Sequence, residues 1–145
     1  SLTITDHVYF EYQNSTYTAM PSDQFIVRAR ISYPDHWVQS MSFSYNHSLN
    51  QFIQDIAPAR TYGFTHELEY LKKNNLAKGG SLDNALVVTD DGYMNDPRFD
   101  DEMVRHEVLD FIGDMSLSNQ QIVGEFIVDC PSHAGNCQFI QYLNR

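Results

Sequence analysis

The chain is 145 residues long, the length of one ordinary domain. Nine Lys and Arg stand against nineteen Asp and Glu, a net charge of −10, which excludes a nucleic-acid or anionic-membrane binder that needs a basic face. The 42% hydrophobic share, with nine Phe and nine Tyr, is enough for a packed core, and no apolar run approaches the roughly 20 residues that span a bilayer.

The chain opens Ser1-Leu2-Thr3, with neither an initiator Met nor a signal-peptide pattern, so we expect it to be processed or cut from something longer. Thr3–Tyr12, Thr16–Met20 and Gln24–Tyr33 are rich in β-branched and aromatic residues and predict strands. In the third, Val27, Ala29 and Ile31 alternate with Arg28 and Arg30, the period of a half-buried strand. A short strand follows at Met41–Tyr45. Ser48 then caps a helix whose Leu49, Phe52, Ile53 and Ile56 keep helical spacing until Pro58. Ala59–Phe64 is a loop leading to a helix over His66–Asn74, and Gly79-Gly80-Ser81 breaks the chain before a strand at Ala85–Thr89. A polar loop, Asp90–Pro97, precedes a long helix over Asp100–Leu117. A strand at Ile122–Val128 and a final helix from Pro131-Ser132-His133 to Leu143 complete the chain. These elements predict a single α+β domain. Cys130 and Cys137 are read as free thiols, since a lone C-x6-C pair is no zinc-ribbon pattern.

At about 100° per residue, Val104, Val108, Phe111 and Met115 share one side of the long helix. His106, Asp110 and Asp114 line the opposite side at i, i+4 and i+8, so an imidazole and a carboxylate can converge on one point. Such a pair suits Zn²⁺, but an isolated H-x3-D is more often a solvated face with a His–Asp hydrogen bond. His106-Glu107-Val108-Leu109-Asp110 is also an H-E-x-x-H metalloprotease pattern with Asp for the second His. His133 sits on the turn after the last strand, where scaffolds often place catalytic groups.

Four segments in order, Ala59–Phe64, Gly79–Ala85, Arg105–Asp114 and Ser132–Ala134, resemble UDP-3-O-acyl-N-acetylglucosamine deacetylase, a zinc amidase of lipid A synthesis in the cytoplasm of Gram-negative bacteria. The resemblance covers nearly all of the chain but only the second domain of that enzyme. It implies a two-layer sandwich, with helices on one face of a mixed sheet and a small βαβ-type insert. His106 and Asp110 match two of the three protein ligands of the catalytic zinc, which activates a water. Thr61 matches the threonine that stabilises the oxyanion. His133 matches a protonated histidine acting as general acid, and Asp114 the carboxylate that holds it. Phe25 corresponds to an aromatic contacting the uracil. Leu68, Ala77, Leu82 and Val87 are candidates to wall the fatty-acyl passage.

The resemblance also implies what this chain lacks. The third zinc ligand and the glutamate base come from the family's first domain, and none of His7, His36, His47 or His66 lies in a matching motif. Glu107 stands where the family carries a lysine, near the UDP-sugar site, Ser132 replaces a glycine, and Cys130 occupies a position often basic. The expected function is therefore half of a zinc deacetylase, inactive alone, whose partners are a UDP-linked acyl amino sugar and the missing first domain. The alternative is a divergent non-catalytic domain binding a protein partner or acyl ligand. Leu109 and Ile112, off the main buried stripe, predict an exposed apolar helix face and dimerisation through it.

Overall fold

A computed structural model describes residues 1–67 and 83–145. A six-stranded mixed sheet carries the fold. Its strands are β1 (Leu2–Thr3), β2 (Val8–Tyr12), β3 (Ser15–Met20), β4 (Phe25–Tyr33), β5 (Gln39–Asn46) and β8 (Ile122–Asp129). The main order is β2-β3-β8-β4-β5, with β1 added parallel to the start of β8. β8 thus lies in the middle, antiparallel to β3 and parallel to β4. A separate parallel ribbon joins β6 (Thr61–Phe64) to β7 (Ala85–Val88). This crossover is the predicted βαβ-type insert; residues 65–67 are helical.

The helical layer has three described parts. α1 (Leu49–Gln51) starts at Ser48, whose side chain accepts from the Gln51 amide, and runs into a π-helical stretch, Phe52–Ile56. α2 (Glu102–Ser116) packs on β4 and β5 and against α3 (His133–Leu143). The predicted stripe of α2 is buried: Val104, Val108, Phe111 and Met115 are all within 1% of full burial. They meet Tyr17, Val27, Ala29, Phe126, Val128 and Phe139 in one core, so the mixed two-layer α+β sandwich is as expected. Burying the stripe is what turns His106, Asp110 and Asp114 away from the sheet.

Several boundaries differ from the sequence reading. The first predicted strand is two, because the chain bends at Asp6 so that β1 can join β8 while β2 pairs with β3. Gln13, at φ 52°, makes the tight β2–β3 turn. The helix before Pro58 leaves α geometry after Gln51, as the Ala57 amide bonds the Phe52 carbonyl at 2.8 Å. Leu109 and Ile112 are half-buried against the core and do not form an exposed apolar face. The exposed apolar side chains of this layer are instead Leu49, Ile53 and Leu117. No helix among the described residues is long and apolar enough to cross a membrane.

Candidate active site

The site forms where one edge of α2 meets the start of α3 and the entry to β6. His106 and Asp110 come from successive turns of α2, and His106 Nε2 lies 3.3 Å from Asp110 Oδ2. His133, first residue of α3, brings its Nε2 to 3.5 Å from the same oxygen. Its Nδ1 lies 2.8 Å from Asp114 Oδ2, one turn further along α2. The i, i+4 spacing of His106 and Asp110 lets those two meet, and the structure also brings His133, on the turn after β8, to Asp110 and Asp114.

Each imidazole is oriented from behind. His106 Nδ1 is 3.0 Å from the Ala59 carbonyl, which can only accept and so draws a ring proton to Nδ1, while the Asp110 carboxylate faces Nε2 from 3.3 Å. Asp114 Oδ2 also accepts from Asn136 Nδ2 at 3.0 Å, and Asn136 Oδ1 accepts the Tyr17 hydroxyl at 2.7 Å. Asn136 and Tyr17 are fully enclosed, so the carboxylate holding His133 is itself anchored in the core. The Asp114 hydrogen bond raises the His133 pKa above its ordinary value, and Asp110 adds to this. Burial pulls His106 down, but Asp110 and the Ala59 carbonyl outweigh it and its pKa is also raised.

Glu107 points to the insert side. Its Oε1 accepts the Tyr62 hydroxyl at 2.8 Å, and the Tyr62 and Tyr33 hydroxyls are 3.3 Å apart. Burial lifts the Glu107 carboxyl above the usual range against the opposing Tyr62 hydrogen bond, and Asp110 lifts it further. Burial and then Glu107 raise the Tyr62 phenol. Nearby cations are engaged elsewhere: Arg60 with Glu102 at 2.9 Å, and Arg105 with Asp101 at 2.6 Å.

Other predicted residues fall elsewhere. Thr61, exposed, opens β6 two residues after Ala59, so it lies beside the His106 support. Phe25 is not brought to this cluster. It pairs with Gly124 near the start of β8, whereas His133 follows the end of that strand, about 16 Å further on at 3.3 Å per residue. Phe25 instead packs with its ring tilted against His47 and lines a cleft of about 600 Å³ with Ile112, Met115 and Gln120. The aromatic at the other end of β4 is Tyr33, joined to Glu107 through Tyr62. Val87 is buried on β7 but outside the core that takes its neighbours Leu86 and Val88. Leu68, Ala77 and Leu82, with most of the predicted helix His66–Asn74, lie outside the described residues.

As a metal site the cluster is right in kind and short in number. It offers imidazole nitrogen and carboxylate oxygen, the donors zinc takes. Among the described residues, however, no group of three or more His, Cys, Asp or Glu could hold a metal ion.

A family model described as UDP-3-O-acyl N-acetylglycosamine deacetylase matches residues 1–145. The chain is 43% identical over 141 residues to the UDP-3-O-acyl-N-acetylglucosamine deacetylase of Thermodesulfovibrio yellowstonii, covering 97% of the chain and 48% of that protein. It is 42% identical to the protein of the same name from Nitratidesulfovibrio vulgaris (94% and 44% covered) and 40% identical to that of Pseudomonas entomophila (87% and 43%). The chain spans about half the length of the curated relatives it matches. With a match over every residue and relatives of 40–43% identity, the chain belongs to the UDP-3-O-acyl N-acetylglycosamine deacetylase family.

Proposed function

We propose that this chain supplies one half of a zinc deacetylase site that removes the N-acetyl group of UDP-3-O-acyl-N-acetylglucosamine in the cytoplasm. The observation that carries the reading is the convergence of His106 Nε2 and His133 Nε2 within 3.5 Å of one oxygen of Asp110. His106 and Asp110 would hold the zinc, with the remaining protein ligand and the proton-accepting base supplied by the half that the relatives possess beyond this chain. When bound, zinc lowers the pKa of a water and polarises the amide carbonyl.

The chain's own residues then divide the work. His133, kept protonated by Asp114, donates to the departing amine. The Thr61 hydroxyl, at the mouth of β6, steadies the developing oxyanion. Asp114 and the Asn136–Tyr17 pair behind it fix His133. Val87 is a candidate for the wall of the acyl passage, as the resemblance also makes Leu68, Ala77 and Leu82. Phe25, in its separate cleft, is a candidate for a distant part of the substrate rather than for contact at the metal.

The test is a deacetylase assay, with zinc, on the full-length protein containing this chain. His106→Ala and Asp110→Ala should each abolish turnover and lower metal content. His133→Ala should reduce kcat while leaving metal content intact. Full activity in the His106→Ala protein would overturn the reading.

A further inference from the structure

His106 can donate a lone pair from Nε2 only if its neutral ring keeps the proton on Nδ1, and the Ala59 carbonyl, at 3.0 Å from Nδ1 against 3.3 Å for Asp110 from Nε2, favours that choice. A carbonyl can do so only while its peptide plane stays put. The peptide in question joins Ala59 to Arg60, and its other face is also held. The Arg60 amide of that same peptide donates to Glu102 Oε2 at 2.8 Å. Glu102 and His106 are i and i+4 on α2, so one peptide plane is gripped at both ends by successive turns of one helix.

Glu102 also neutralises Arg60 in a buried ion pair. Its side chain is fully buried, yet both oxygens are used. Oε2 also accepts from Arg60 Nε at 2.9 Å, and Oε1 accepts from Arg60 Nη2 at 3.1 Å and from the Arg98 amide at 2.7 Å. Arg98 Nη1 in turn donates to the Pro58 carbonyl at 2.8 Å, so the backbone is tied on both sides of Ala59.

We propose that Glu102 is a positioning residue for His106: by clamping the Ala59–Arg60 peptide onto the first turn of α2, it keeps the ring in its Nδ1–H form with Nε2 free to face Asp110. The ring form follows from geometry in this chain alone. Its bearing on metal affinity rests on the deacetylase reading above.

The test uses the metal-free chain with ¹⁵N-labelled histidine and long-range proton–nitrogen correlation, at a pH where the ring is neutral. The native chain should give a predominantly Nδ1–H signature for His106, and Glu102→Gln a mixture with a clearly larger Nε2–H share. Val128→Ala, a buried change on β8, should destabilise the chain yet leave the His106 signature unchanged. Should Glu102→Gln not fold, Arg60→Lys keeps the charge and the amide but removes the guanidinium fork, and should also enlarge the Nε2–H share. An unchanged signature in whichever of these variants folds, or a larger Nε2–H share in Val128→Ala, overturns the proposal. In the full-length protein, Glu102→Gln should weaken zinc binding about tenfold, the low end for lost ligand supports. A shifted ring form with unchanged zinc affinity would uphold the clamp and count against His106 as a zinc ligand.

Discussion

Glu107 carries a tension visible at a single residue. It is a carboxylate largely withdrawn from water, with one hydroxyl donor from Tyr62 and the Asp110 carboxylate nearby. Burial, then Asp110, raise its pKa above the ordinary 4.5, so the native state binds this proton more tightly than the unfolded chain does. Stability from this group is therefore present at low pH and is lost as pH rises from about 4.5 through the folded pKa. Glu107→Gln keeps an oxygen to accept from Tyr62 and has nothing to ionise. Its stability advantage over the native chain should grow across that window in urea titrations and then level off. Parallel pH curves for the two proteins would show that Glu107 ionises without penalty. His133 has the same sign in a higher pH window. Asp114, first, and Asp110 raise its pKa above 6.5, so its stabilising contribution is complete below that pH and fades as pH rises through the folded value. Asp114→Asn should lower the His133 midpoint in an NMR titration while leaving part of the elevation that Asp110 provides.

At the scale of elements, α3 shows why a helix can be worse for a better helix former. Gly135 sits in its first turn, its amide bonded to the Ser132 cap at 3.0 Å. A Cβ there would meet the Tyr17 hydroxyl at 2.5 Å and Ser132 Oγ at 2.9 Å. Alanine should gain about 1 kcal/mol of helix propensity and lose more to overpacking, about 1–3 kcal/mol. We expect Gly135→Ala to be net destabilising by urea denaturation and to disturb the Tyr17–Asn136 bond behind Asp114; a more stable variant would mean that α3 can shift freely against β3. Glu102→Gln is the larger loss. It removes the negative charge that pairs with the nearly buried Arg60 guanidinium and should cost about 3 kcal/mol, read as a lower midpoint in the same denaturant series. These elements also mark what was legible beforehand. The alternation in β4 and the apolar stripe of α2 follow from local period, so both elements, and the His106–Asp110–Asp114 row on the far side of the stripe, could be seen in the residues. What supports that row could not. Asn136 and Tyr17 are 119 residues apart, Arg60 and Glu102 are 42 apart, and the Ala59 carbonyl is backbone that any residue would provide. Glu102 resembles an ordinary first-turn acid that favours the helix dipole, and only packing shows it buried. Phe25 and Tyr33 are both aromatics of β4, and which end of the strand faces the histidines depends on β8 running parallel to it, a pairing no local pattern encodes.

The whole molecule has a complete core and an incomplete site. The core closes over both layers, with Tyr17, Phe111, Phe126 and Phe139 all fully enclosed. The helical layer still exposes Leu49 at 71%, Ile53 at 56% and Leu117 at 74%, apolar surface of the kind that a second protein layer would cover. Zinc needs about four donors, of which three come from protein in a catalytic site. On the proposed reading His106 and Asp110 would supply two, and no larger donor group exists among the described residues. Both are partly committed without metal, since His106 is drawn toward protonation and a metal must displace that proton. The 145-residue chain alone should therefore bind zinc more weakly than about 1 μM in calorimetry and show no deacetylation. Full-length protein, in which the other half of the family's length is joined to it, should gain both together. Affinity should also rise with pH, because metal and proton compete for His106 Nε2. Sub-micromolar zinc binding by the chain alone would mean that its site is already whole, with a third donor from outside the described residues, and that the second half contributes substrate binding rather than metal.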